Sequence, residues 1–506
     1  MHTQKQLNYL KSLPEEQLLE YIGNQSTEKL IALKTDIKNY AQVENGVSKD
    51  DRDKFFTILS YVDAKINGLN QTQEESGSSE AMEETIDISQ FQPLISSQVL
   101  DILGLTIKKD NENKLITFLC LLSAYTRDSQ FNISFNAPSS SGKSYIPTEI
   151  ANLFPREDVF EVGYCSPTAF FHDKSKEYKK ETNELIVDFT GKIIIFLDQP
   201  HTLLLQHLRP ILSHDKKEIH LKITDKSQKG GLKTKNITLK GFPSVIFCTA
   251  GLTVDEQEST RFILLSPEIN QEKIREAVLE RIKRSIDSYS YQYSLETNTL
   301  RKQLKDRIRA IKQEEIPEII IKDKGKIEQM FFERVKILKP RHQRDIGRVI
   351  SLIKVFALLN LWFRERESSS VVVNEEDIQE GFRLYDTISE SQEMNLPPYI
   401  FDLYKRVILP AYQDKNPDDI GIGAQGITRQ ELLKKHYEIF GRHIPLWQLR
   451  QDIIPMLETA GLITQEPDIN NRRVYLIYPT TQLTISKEKQ YGELHGGVTA
   501  GGGDNK

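Results

Sequence analysis

The residues with the clearest chemistry form one run: Ala137, Pro138, Ser139, Ser140, Ser141, Gly142, Lys143 and Ser144. The four residues before it, 132–135 (Asn-Ile-Ser-Phe), alternate polar and apolar as a short strand does, and residues 145–153 read as a helix. A loop of small residues that ends in Gly-Lys-Ser between a strand and a helix is the context of a phosphate-binding loop. Backbone N–H groups of such a loop surround phosphate oxygens. Lys143 sets a positive charge against the β- and γ-phosphates, and the Ser144 hydroxyl ligates Mg²⁺. Gly142 lets the backbone come close to the ligand. Ala137 stands where such loops usually carry their first glycine. The expected ligands are ATP and Mg²⁺.

That chemistry needs a second metal ligand at the end of a buried strand. Residues 193–197 are Ile-Ile-Ile-Phe-Leu, a run that suits a central parallel strand, and Asp198 follows. Asp198 would then stand beside the phosphates at the carboxyl edge of the sheet. Gln199 comes next. A glutamine can orient an attacking water but cannot take its proton at neutral pH. Hydrolysis is then slow, or another carboxylate serves, or Gln199 positions the water. A further apolar run, 245–248, ends on Thr249, which could read the γ-phosphate or the attacking water, or simply end a strand.

Two more features follow. Residues 219–224 and 237–240 alternate strictly and flank a segment with a Gly230-Gly231 turn signal, which predicts a β-hairpin. Its distal half carries Lys226, Lys229, Lys233 and Lys235. Four lysines on a projecting tip can bind the phosphate backbone of DNA; lysines at a sheet edge also deter unwanted pairing. Arg261 precedes the apolar run 262–265 and is the candidate for an arginine finger that reaches a neighbouring subunit's ATP, with a surface ion pair as the alternative.

The order of phosphate loop, acid, basic hairpin, polar strand end and Thr260-Arg261-Phe262 resembles that of AAA+ ATPases with a pre-sensor-1 hairpin. Within them it is similar to the minichromosome maintenance (MCM) replicative helicases and their relatives on bacterial mobile elements and phages. That family has its arginine finger in a Ser-Arg-Phe motif. Residues 344–357 and 373–384 resemble the MCM lid, which implies a sensor-2 role for Arg344, with Arg341 and Arg348 in competition. The resemblance implies a homo-oligomeric ring, a hexamer, with ATP between subunits and DNA unwinding or translocation in replication. Three departures accompany it: Gln199 where the family has Glu, Thr249 where Asn is common, and helices rather than a zinc or OB-like segment in the first 70 residues.

The elements that must position these residues are those of an α/β chain: a P-loop AAA+ core with a parallel sheet, a helical lid and a C-terminal winged helix. Helical spacing marks residues 1–70, and an acidic, Ser-rich stretch, 71–85, reads as a disordered linker. Strand-like runs alternate with helices over 86–270, the signature of a parallel sheet. Residues 271–395 read as helical. Over 396–482 two helices and two strands follow one another, and Thr428 with Glu431 forms a capping box. Gln448, Arg450, Gln451, Arg472 and Arg473 could contact DNA there. The tail, 483–506, reads as disordered.

The net charge of −5 means that any DNA contact comes from local basic clusters. Cys120, Cys165 and Cys248 lack zinc spacing and read as small buried hydrophobes. No apolar run is long enough for a membrane span, and no secretory leader is evident, so a cytoplasmic location is expected. Two other functions fit the same motifs. One is an ATP-controlled DNA-binding or loading switch with slow hydrolysis. The other is a protein-remodelling ATPase that uses the winged helix as an adaptor.

Overall fold

A computed structural model describes residues 86–163, 177–179, 184–214, 216–225, 233–249, 261–314, 318–335, 337–417 and 424–480, with scattered positions between residues 9 and 62. The chain divides into two compact units, Met1–Thr85 and Ile86–Lys506. In the first, Leu10, Leu18, Ile22, Leu30, Leu33, Ile37, Ile58 and Val62 lie on helices and share one core. The expected linker and tail lie outside the described residues, as does Cys165.

The second unit opens with helices rather than strands: α1 (Ser96–Gly104) and α2 (Asn111–Ser123). The first strand is β1 (Ile133–Asn136), followed by α3 (Tyr145–Ala151). β1 joins β2 (Val159–Val162), β5 (Ile193–Phe196), β8 (Ser244–Thr249) and β9 (Ile263–Leu265) in a five-stranded sheet of order β2-β5-β8-β1-β9. Every pairing in it is parallel. β5 and β8 are buried at each position because both faces of the sheet are covered. Ile193, Ile195, Ile246 and Cys248 face the core that holds α2 and α3. Ile194, Phe196, Val245 and Phe247 face the other core, against α4 (Thr202–Leu212). The buried Cys120 and Cys248 thus serve as small apolar residues.

From β1 the chain crosses to the far edge at β2 and works back through β5 and β8. It ends beyond β1 as β9. Connections from the neighbours β1 and β8 therefore leave in opposite directions. A reversal of this kind opens a crevice at the carboxyl ends of the two strands.

A second sheet, of order β3-β4-β7-β6, packs on α4. It contains β3 (Glu177–Lys179), β4 (Glu184–Asp188), β6 (Glu218–Asp225) and β7 (Lys233–Lys240). β6 and β7 are the hairpin read from the sequence, paired from Glu218 with Lys240 to Asp225 with Lys233. The alternation does its work at Ile237 and Leu239, which are fully buried.

Residues 271–395 are mostly helical: α5 (Gln271–Ile286), α6 (Ser288–Thr297), α7 (Thr299–Gln313), α8 (Lys324–Arg334), α9 (His342–Leu359) and α10 (Glu375–Glu393). They also hold a small sheet that the helical reading missed, β10 (Ile319–Ile320), β11 (Arg366–Glu367) and β12 (Ser370–Val372). Its strands are two or three residues long, too short to show alternation.

The C-terminal region has its own core around Ile400, Ile408, Ile453, Leu457 and Ile477. It comprises α11 (Pro398–Leu403), α12 (Leu409–Lys415), β13 (Ile427–Thr428), α13 (Arg429–Phe440), α14 (Leu446–Gln448), α15 (Ile454–Thr459), β14 (Ile463–Pro467) and β15 (Tyr475–Pro479). Thr428 and Glu431 cap α13 reciprocally, as their spacing predicts. Pro455 does not break the helical run. The turn before it widens so that the Ile454 N–H bonds five residues back to Leu449, and the same device precedes Pro410. One extra residue per turn moves the proline ring off the carbonyl it would strike. No helix among the described residues is long and apolar enough to cross a membrane.

Candidate functional site

The run 137–144 leaves the middle of the sheet at its carboxyl edge. β1 lies between β8 and β9, with Asn136 opposite Thr249 and Phe135 opposite Leu265. Ala137 is fully buried and its N–H lies 3.5 Å from the Thr249 carbonyl, so the loop starts tied to β8. Its φ is not positive, so no glycine is required there. Further on the sign of φ alternates: Ser140 at 63° and Gly142 at 93° stand among Ser139, Ser141 and Lys143, whose φ is negative. Alternation of this kind turns successive N–H groups toward one concave side, the geometry that receives an anion. The Ser141 hydroxyl donates to the Pro138 carbonyl at 2.8 Å and closes the loop. Helical bonding starts at once, from Ile146 N–H to Gly142 O (3.1 Å) and from Thr148 N–H to Ser144 O (3.3 Å). The Ser144 side chain caps nothing.

Two strands, β5 and β8, bring the other polar residues to this loop. The Cys248 thiol points at the Lys143 carbonyl at 3.4 Å. Burial pushes that thiol up to about 12; the charge of Lys143 opposes the shift and that of Asp198 adds to it, so both charges act on one point. Asp198, just past β5, is exposed, and its Oδ1 accepts the Gln199 N–H at 2.8 Å. The Thr249 hydroxyl donates to Gln199 Oε1 at 3.2 Å. Lys143, Asp198, Gln199 and Thr249 are therefore neighbours, although 106 positions separate the first from the last. Among the described residues no group of three or more His, Cys, Asp or Glu could hold a metal ion. Mg²⁺ would depend on Ser144, Asp198 and the phosphates themselves, an oxygen set that suits this hard cation.

Arg261 lies elsewhere. β9 pairs Ile263 with Ile133, so Arg261 sits beyond the amino end of the sheet. From there to the start of the loop is roughly 20 Å at about 3.3 Å per residue. Its Nε donates to the Ser213 hydroxyl at 2.7 Å, at the end of α4. Of the three arginines on or beside α9, Arg341 and Arg348 both clamp the buried Asp345, at 2.9 Å each. Arg348 also donates to the Phe262 carbonyl at 2.9 Å, and burial pushes its guanidinium down to about 10. Arg344 is exposed, one turn before Arg348 on α9, and so belongs to the Arg261 end of the sheet.

Of the hairpin lysines, Lys226 and Lys229 lie outside the described residues. Lys233 and Lys235 fall on β7, in its distal part, where β4 no longer pairs with it. A second hairpin, β3–β4, stands beside the first. Glu184 faces Asn236, so β4 and β7 begin near the same end of the sheet. The sequence reading did not find this hairpin, because β3 is three residues long in a charged segment.

The reading also missed a cavity of about 890 Å³ beside the loop, lined by Ser139–Gly142, Tyr145, Ile146, residues 106–108, Asp110, one side of α5 and residues 440–442. Ile107, Ile146, Ile274, Ala277 and Val278 make it apolar on one side. Most of its charges are matched: Lys273 pairs with Asp110, Lys108 with Glu280 at 3.2 Å, and Arg284 with Glu149 at 3.5 Å. Arg281 and Arg442 have no carboxylate partner among the described residues. The spacing 274, 277, 278, 281 marks one face of α5 and is the signal from which part of the lining could have been read. No protein-family model matches the chain, and no curated protein matches it.

Proposed function

We propose that this chain is an ATP-dependent DNA helicase or translocase of the MCM-like AAA+ kind, acting in DNA replication. The observation that carries the reading is the meeting of Lys143, Asp198, Gln199 and Thr249 at the carboxyl ends of β1, β5 and β8, beside a loop whose N–H groups converge. Residues 137–144 would hold the triphosphate, Ser144 and Asp198 would ligate Mg²⁺, and the adjoining cavity would take the base. A volume near 890 Å³ with one apolar side suits a nucleotide-sized ligand. Gln199, held by the Thr249 hydroxyl, would orient the attacking water. Because Arg261 stands at the opposite end of its own sheet, it can serve only a nucleotide bound by another copy. That requirement favours a closed ring, a hexamer, with Arg344 on the same interface. The lysine-rich hairpin would line the pore and grip the DNA backbone. The C-terminal helices with β13–β15 act as a winged helix, with Arg450, Gln451, Arg472 and Arg473 all exposed for DNA.

The same Gln199 supports a second reading, an ATP-controlled DNA-binding or loading switch. Its side-chain oxygen is already engaged by Thr249, and an amide cannot act as general base. DNA-stimulated ATPase and strand-separation assays decide between the two. We expect Lys143→Ala to weaken ATP binding at least tenfold, as for loss of a charge-assisted contact. The triple Lys226/Lys229/Lys233→Ala chain should hydrolyse ATP yet fail to unwind. Unwinding at the wild-type rate removes the hairpin from the mechanism. Ring assembly with turnover below about one per minute, against the ~10 s⁻¹ of ordinary enzymes, favours the switch.

A further inference from the structure

The turn Phe440-Gly441-Arg442 belongs to the C-terminal region, yet it walls the same cavity as Ser139–Gly142. It is held there by a dense set of contacts. Gly441 caps α13 with φ 64°, a left-handed value. A Cβ at Gly441 would lie 3.1 Å from the amide nitrogen of Gln271, which itself donates to the Phe440 carbonyl at 3.4 Å. His436 is buried. Its Nδ1 hydrogen-bonds the Arg442 carbonyl at 2.9 Å and its ring lies 4.8 Å from that of Phe440. The backbone of the turn is therefore fixed, and Arg442 is exposed at the cavity without an acidic partner among the described residues.

We propose that Arg442 contacts the bound nucleotide and that the C-terminal unit closes the cavity over it, an inference that rests on the nucleotide reading of the loop. With the matched pairs discounted, Arg281 and Arg442 remain against a single carboxylate, Glu268, so the lining keeps a cationic excess of one. A cavity that adds two unpaired arginines to a phosphate-accepting loop is complementary to a polyanion. The closing contact joins two regions of separate cores, so occupancy and docking share one equilibrium. Coupling of this sort is reciprocal: a nucleotide that holds the C-terminal unit in place is itself held more tightly by a docked unit.

The test uses the full chain and a ribose-labelled fluorescent ATP with Mg²⁺. Arg442→Ala is expected to weaken binding about tenfold, the loss of one charge-assisted contact, and to melt near the wild type; Gly441→Val should weaken binding likewise and melt lower, because its left-handed backbone strains a β-branched residue. Nucleotide should slow hydrogen exchange across residues 432–446 in the wild type and not in Gly441→Val. If Lys143→Ala abolishes binding but both turn variants bind as the wild type does, and exchange in 432–446 is indifferent to nucleotide, the closing role is overturned and the loop assignment stands. If the wild type does not bind the labelled ATP, the loop assignment falls and takes the closing role with it.

Discussion

Gln199 sets the chemistry expected at the level of single residues. Its amide oxygen accepts the Thr249 hydroxyl, so its side chain is already oriented beside Asp198. A glutamate of the same length would keep that bond and could also accept a proton. General bases contribute about 10² to 10⁴, so Gln199→Glu should raise ATP turnover on the order of 100-fold with little change in ATP affinity. An unchanged or lower turnover, measured as phosphate release at saturating ATP, would mean that the water stands elsewhere. The arginines divide by environment. Arg341 and Arg348 neutralise a carboxylate with no solvent exposure, which commits them to holding α9 on the end of β9. Arg344 and Arg261 are the two arginines that the proposed ring would set between copies.

Helix packing at the next scale depends on small residues at crossings. Gly381 lies where α10 crosses α9. A Cβ there would collide with Ile353 Cγ1 and come within 3.1 Å of the Ile353 backbone nitrogen. Alanine gains roughly 0.5–1 kcal/mol in helix propensity, but overpacking against backbone costs about 1–3 kcal/mol. The second term wins because the obstacle cannot swing away. Gly381→Ala should therefore lower the melting temperature; a rise would show that the helices separate freely. Elements of this kind differ in how well the sequence announces them. The five-residue run before Asp198 and the strict alternation around 219–224 and 237–240 are local patterns, and both appear as strands. Strands β10–β12 and β3 are too short for any pattern. The parallel sheet was legible as a class, yet its order was not, because pairing partners such as Asn136 and Thr249 are set by the whole core. The cavity was least legible. Its walls come from segments near residues 107, 140, 275 and 441, and no window of sequence contains two of them.

For the whole molecule, the decisive distance is the one between Arg261 and its own loop. If the proposed ring forms, Arg261 completes a neighbouring copy's site, so defects in different copies should complement. Arg261→Ala alone should bind ATP and hydrolyse it roughly 10³-fold more slowly. Lys143→Ala alone should be inactive for lack of nucleotide. Mixed in equal amounts they should recover activity, because Lys143→Ala copies lend Arg261 to sites that can still bind ATP. A mixture no more active than its components would place Arg261 outside the site.

Helix α4 begins three residues after Gln199 and ends at Ser213, whose hydroxyl holds Arg261. Its 11 residues form a rod roughly 16 Å long at about 1.5 Å per residue. If Arg261 serves the next copy, this rod gives the assembly a sense of rotation. A change at the water-holding end of one copy is felt at the arginine offered to its neighbour on one side and not on the other. Sites would then fire in sequence around the circle, and the direction of travel would be written into which end of α4 touches which residue.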